Sequence, residues 1–176
     1  SADIDQRGGH QRDVLDHLDR VTALLSHTRC SRSAVTAEAQ HPVLSVFLQL
    51  LPTFQAVLQA HPAEAVCEKV CRCYKHVMRN TQESFFPYLE AMAAHITHEF
   101  ETKPVASFIY VSSICVAIYG DAVPDGCSGQ QRVGSMDASQ MKAVLRKQYS
   151  DIAAIFFAKC TSIETFEQFP DLVEEF

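Results

Sequence analysis

The chain has 176 residues, a formal net charge of −6 and 20% charged residues. Hydrophobic residues make up 47%, with only six Gly and seven Pro, which excludes disordered, fibrous and low-complexity sequence. The acidic balance also excludes a general nucleic-acid binder, which is usually basic overall, so any basic feature must be local.

Helical spacing begins at Asp13, a plausible N-cap, and carries Val14, Leu15, Leu18, Val21, Leu24 and Leu25 to about Ser26. Thr28 to Gln40 is polar and reads as a loop. A second helix is predicted from Pro42 to about Gln59, since proline suits a first helical position; Pro52 should kink or split it. His61 and Pro62 restart the pattern. The third helix is expected to end near Asn80, a residue tolerant of the left-handed conformation. A fourth runs from about Ser84 to Phe100, with Leu89, Met92, Ile96 and Phe100 on one side. Thr102 and Pro104 open a fifth, apolar through Tyr119 and stopped by Gly120; a helix apolar almost all round should be buried. Residues 121–136 read as a mobile loop. A sixth helix is predicted from about Asp137 to Cys160, with Met141, Val144, Leu145, Ile152, Ile155 and Phe156 inward, and Pro170 begins a seventh.

No segment alternates as a strand, so the fold class is all-α. Pro62 and Pro104 lie 42 residues apart and are read as opening successive helical hairpins, at a spacing within the HEAT-repeat range. Neither end carries a polar capping repeat. The expected architecture is an α-solenoid of HEAT-type antiparallel helix pairs, one section of about three to four repeats over residues 1–176. A compact helical bundle is the competing architecture.

The third helix holds the chemistry. Val66, Val70, Cys73, Tyr74 and Val77 cluster on one side at about 100° per residue and form the expected core face. Lys69, Arg72, Lys75, His76 and Arg79 fall nearly opposite and recur at intervals of three and four, one above another. Such a ladder suits an extended ligand with repeated negative charges, such as a phosphorylated peptide; arginine can also bind phosphate bidentately. The competing reading is a solvated helix face. Against it, soluble faces usually intersperse both signs, whereas Glu64 and Glu68 are the only acids on or near this sector.

The remaining candidates are weaker. Seven cysteines (Cys30, Cys67, Cys71, Cys73, Cys115, Cys127, Cys160) sit mostly in apolar helical patterns and read as reduced, packed thiols. Cys67 and Cys71 stack along a helix while Cys73 points elsewhere, without a second pair at zinc-finger spacing. His95, His98 and Glu99 are not in the His-Glu-x-x-His order, so no metal site is expected. Neither a phosphate-cradling glycine loop nor a nucleophile elbow occurs, and neither an enzyme nor a cofactor is expected. No run approaches the roughly 20 apolar residues of a membrane span, and no leader precedes the first helix, so a soluble intracellular protein is expected.

The segment Val66-Cys67-Glu68-Lys69-Val70-Cys71-Arg72-Cys73-Tyr74-Lys75-His76-Val77-Met78-Arg79 resembles the arginine-rich helix of the transportin-SR family of importin-β-type nuclear import receptors. Leu18-Asp19-Arg20 with His27-Thr28 is similar to that family's Leu-Asp-Arg helix and the turn after it. Phe108-x-Tyr110-x-x-Ser113-Ile114, ending in Tyr119-Gly120, is similar to its apolar helix, and Phe166 through Pro170-Asp171 to Phe176 to the start of its next repeat. The likeness covers about residues 14–176 apart from 121–136, which looks like an insertion. The related importin-13 receptors are the alternative, and the basic helix favours transportin-SR.

The resemblance implies a fragment of the cargo-binding region of a karyopherin. Its cargo would be Ser/Arg-rich splicing factors, contacted through phosphorylated Arg-Ser segments by Lys69, Arg72, Lys75 and Arg79. The family pattern has Arg at all four, so the two lysines keep charge but lose the planar fork. The whole receptor would engage nucleoporins and the Ran GTPase, Ran mainly through amino-terminal repeats absent here, and shuttle between cytoplasm and nucleus. Neither membrane nor direct nucleic-acid binding is implied.

Overall fold

Apolar residues at intervals of three and four, cut by prolines and polar turns, dictate short helices that bury one side each. The computed structural model describes residues 2–28, 41–120 and 138–176. Among the described residues the helices are α1 (Ala2–His27), α2 (Pro42–Ala60), α3 (Glu64–Thr81), α4 (Phe86–Thr102), α5 (Ala106–Tyr119), α6 (Ala138–Lys159), α7 (Ile163–Gln168) and α8 (Pro170–Glu175), with a 3-10 turn at Gln82–Phe85 and no strand. The all-α expectation holds. The loop predicted at 121–136, and that at Thr28 to Gln40 beyond Thr28 itself, lie outside the described residues. The chain divides into two units, Ser1–Thr81 and Gln82–Phe176.

In the first unit, α2 starts at Pro42 as expected but runs unbroken through Pro52. The proline ring sits on the exposed side, where water can satisfy the carbonyl that has lost its N–H partner. Val43, Leu44, Phe47, Phe54 and Leu58 form the buried stripe. This helix also corrects the membrane reading: by length and composition alone, Pro42–Ala60 is long and apolar enough to cross a bilayer. Serine, glutamine and threonine break up the apolar run, but no charge does.

A three-residue connection, residues 61–63, folds α3 back antiparallel onto α2. Tyr74 takes Phe47 and Phe54 edge-on, with ring centroids 5.8 and 5.9 Å away. α1 packs on α3 in parallel, because the contacts climb both helices together: Asp19 to Lys69, Thr22 to Cys73, Leu25 to Asn80. α1 begins well before Asp13; it buries Leu18 and Leu25, while Leu24, expected inward, is exposed. Asn80 does not close α3 in a left-handed conformation. Its side chain donates to the Leu25 carbonyl, and the positive φ, 41°, falls on Gln82.

In the second unit, α4 starts with Pro87 in its first turn and buries Phe86, Leu89, Met92, Ala93, Ile96, Glu99 and Phe100. α5 is less buried than its composition predicts. Phe108, Ile109, Val111, Ser112, Ile114, Cys115 and Tyr119 face inward, but Tyr110 and Val116 are exposed. Gly120 ends the helix in right-handed geometry, and a Cβ there would stand 2.5 Å from the Val116 carbonyl oxygen. On α6, Met141, Leu145, Ile152 and Phe156 are buried as expected, whereas Val144 and Ile155 are half-buried. Gln148 joins this stripe because its Nε2 donates to Ser112 Oγ at 3.2 Å, which donates on to the Phe108 carbonyl at 2.8 Å. α7 was not anticipated; a capping box between Ser162 and Thr165 starts it, and α8 opens at Pro170 as expected.

The pairs are α2 with α3 and α4 with α5, so Pro62 and Pro104 precede the second helix of each pair rather than opening a hairpin. Within each unit, helices two apart pack together (α1 with α3, α4 with α6), the contact pattern of a solenoid-like helical repeat.

Candidate functional site

α3 buries a broader arc than five residues: Cys67, Cys71 and Met78 join Val66, Val70, Cys73, Tyr74 and Val77 in the interior. All the predicted basic residues lie outside that arc. Arg72 and Arg79 are exposed, and Lys69, Lys75 and His76 are half-buried. Across Glu64–Thr81 there are four Lys and Arg against two Glu, on a chain that is acidic overall. The face is locally cationic.

It is not uniform. Lys69 Nζ donates to Asp19 Oδ1 of α1, with 22% of the lysine side chain and 52% of the aspartate exposed. Arg72 pairs with Glu68, one turn back on its own helix, and both are 48% exposed. Near the C-terminal end the field is positive. Burial holds His76 below its ordinary 6.5, and Lys75, Arg79, Arg72 and the α1 residue His27 push it further down. The structure thus brings Arg72, Lys75 and Arg79 together around His76, whose neutral form they favour, and turns Lys69 toward a carboxylate. Asp19 and His27 entered the sequence reading only as resembling residues, without a role. Periodicity within one helix cannot reveal which residue of another helix stands beside it.

The other candidates resolve separately. Cys67 and Cys71 are buried; Cys73 Sγ lies 3.3 Å from Thr22 Oγ1, and burial pushes its thiol up. His95 Nδ1 and Lys103 Nζ reach opposite oxygens of the buried Glu99 carboxylate, at 4.0 and 3.3 Å, while His98 is exposed. That ladder runs along one helix.

His41, His76 and His95 are all held below 6.5, chiefly by burial, with Glu99 opposing the shift at His95. Below pH 6.5 the unfolded chain therefore binds protons that the folded chain resists, and stability falls as pH drops. The urea midpoint should decline between about pH 7.5 and 5.5. A midpoint that stays level across that window would overturn the assignment.

A family model described as the Transportin-3/Importin-13 fourth TPR domain matches residues 41–133, just over half of the chain and all of α2 to α5. An uncharacterized protein of Schizosaccharomyces pombe is 22% identical over 163 residues, which cover 93% of this chain and 15% of that protein. The chain thus spans about 15% of that curated relative's length.

Proposed function

Because the chain belongs to the transportin-3/importin-13 family, we propose that it is the cargo-binding section of a nuclear import receptor and that α3 receives phosphorylated Ser/Arg-rich segments of splicing factors. The family is one of transport receptors rather than enzymes. The observation that carries the reading is the cationic face of α3, with Arg72 and Arg79 exposed on an acidic chain. Lys75 and His76 complete the contact set, while Lys69, at the end of the stripe, is paired with Asp19. Arginine forks take two phosphate oxygens each, and Lys75 adds point charge. In the intact receptor, Ran and nucleoporins would supply direction and passage between cytoplasm and nucleus.

The test is a titration of the chain with a labelled Ser-Arg repeat peptide, phosphorylated and unphosphorylated, followed by fluorescence anisotropy. The phosphorylated peptide should bind at least about tenfold more tightly, because each phosphate adds nearly two negative charges opposite the stripe. Its advantage should shrink as salt rises from about 0.05 to 0.3 M, where the screening length shortens. Equal affinity for both peptides would leave α3 as an ordinary solvated face of a helical-repeat scaffold with some other partner.

A further inference from the structure

The two ion pairs on the stripe differ in kind. Glu68 competes for Arg72 from the same helix, at a pair where both side chains are 48% exposed. Arg72 keeps other N–H groups of its fork for a ligand. Lys69 has a single ammonium, only 22% of its side chain is exposed, and its partner Asp19 comes from α1, which packs along α3. Its three N–H donors share one nitrogen on a mostly buried side chain, so an approaching phosphate meets the Asp19 carboxylate beside them. Beyond Lys69 the neighbours change sign: His76 has Lys75, Arg79 and Arg72 around it, and His27 faces it from α1. At Lys69 the stripe is held by a carboxylate of another helix, whereas the ion pair at Arg72 lies within α3.

We propose that Asp19 sets the length of the anion site, holding Lys69 so that the ligand is confined to the turns of α3 from Arg72 to Arg79. The inference rests on the phosphopeptide reading of this face. At 1.5 Å rise per residue, Arg72 to Arg79 spans about 10 Å, and inclusion of Lys69 lengthens it to about 15 Å. In an extended peptide of alternating Ser and Arg, successive phosphoserines stand about 7 Å apart. Two phosphates span about 7 Å and three about 14 Å. The shorter site takes a doubly phosphorylated stretch; a third phosphate finds its cation already engaged.

The experiment compares peptides with two and three phosphoserines on the wild-type chain, Asp19→Asn, Lys69→Ala and the double variant. Asp19 is half exposed, so the amide fits without disturbing packing. In the wild type the third phosphate should add less than about twofold, and in Asp19→Asn up to about fivefold, the scale of one exposed ion pair. Lys69→Ala should change wild-type binding little yet remove the gain of Asp19→Asn, a non-additivity that a change in overall charge would not produce. An equal benefit of the third phosphate in wild type and Asp19→Asn overturns the inference, as does a gain that survives Lys69→Ala. Either result leaves the phosphopeptide reading standing if Arg72 and Arg79 are still required. If none of the four proteins binds either peptide, both fall.

Discussion

Charge reversal at both arginines, Arg72→Glu with Arg79→Glu, is expected to abolish phosphopeptide binding, with a loss of a hundredfold or more. Each arginine can form charge-assisted hydrogen bonds of about 1.5–3 kcal/mol with a phosphate. Losing two of them removes about 3–6 kcal/mol, and each tenfold in affinity corresponds to about 1.4 kcal/mol. The new carboxylates then repel the ligand as well. The fold should tolerate the change, since both side chains are exposed. A glutamate at position 72 would face Glu68 one turn away, a like-charge cost of only about 0.2–0.5 kcal/mol. Circular dichroism on the same sample separates lost binding from lost structure. Binding that survives the double reversal rules out α3 as the cargo site, whatever the family relation. Arg72→Lys is the finer probe: charge stays, the fork goes, and the loss should be only a few-fold.

The second large effect concerns the support beneath the stripe. Tyr74→Ala should lower the stability of the first unit by about 3–5 kcal/mol, the usual result of emptying a large aromatic site. Tyr74 is fully buried and receives the edges of Phe47 and Phe54, so it fastens α2 to α3. Domains rarely exceed about 5–15 kcal/mol of net stability, so this change approaches the whole margin. The urea midpoint should fall sharply, and peptide binding should fail with it. Tyr74→Phe keeps both ring contacts and should retain most of the stability. A near-normal midpoint for the alanine variant would mean that α2 and α3 are held together elsewhere.

Helix content was legible in the sequence because apolar spacing at three and four is a property of each segment alone. Val66, Val70, Cys73, Tyr74 and Val77 were assigned to the core from that spacing, and all five are buried. The misses share a cause: they depend on what stands opposite. Leu24 looks like core but lies exposed beside the buried Leu25, and Gln148 looks like surface until Ser112 supplies a hydrogen-bond partner. Pro52 predicted a break because the rule against interior proline concerns the backbone, yet the lost bond lies on the wet side. For the site, the positions on α3 were readable and their differing availability was not. Lys69 and Arg72 look alike along the sequence, and only the parallel seating of α1 places Asp19 against one of them.

That parallel seating also orders events in time. The contacts that hold α1 on α3 join residues 50 to 55 positions apart. Those between α2 and α3 join Tyr74 to residues 20 and 27 positions before it. Chain closure over the longer distance adds only about 0.6 kcal/mol per doubling, yet non-local pairing is the slower step in assembly. On sequence separation alone, the α2–α3 hairpin is expected to form first and α1 to join it later. In that order the basic helix, with only its own Glu68 as a counter-charge to Arg72, would be open before Asp19 docks against Lys69. A polyanion present at that moment meets a longer ladder than the finished protein offers, and to hold it there is to compete with the last helix for its place.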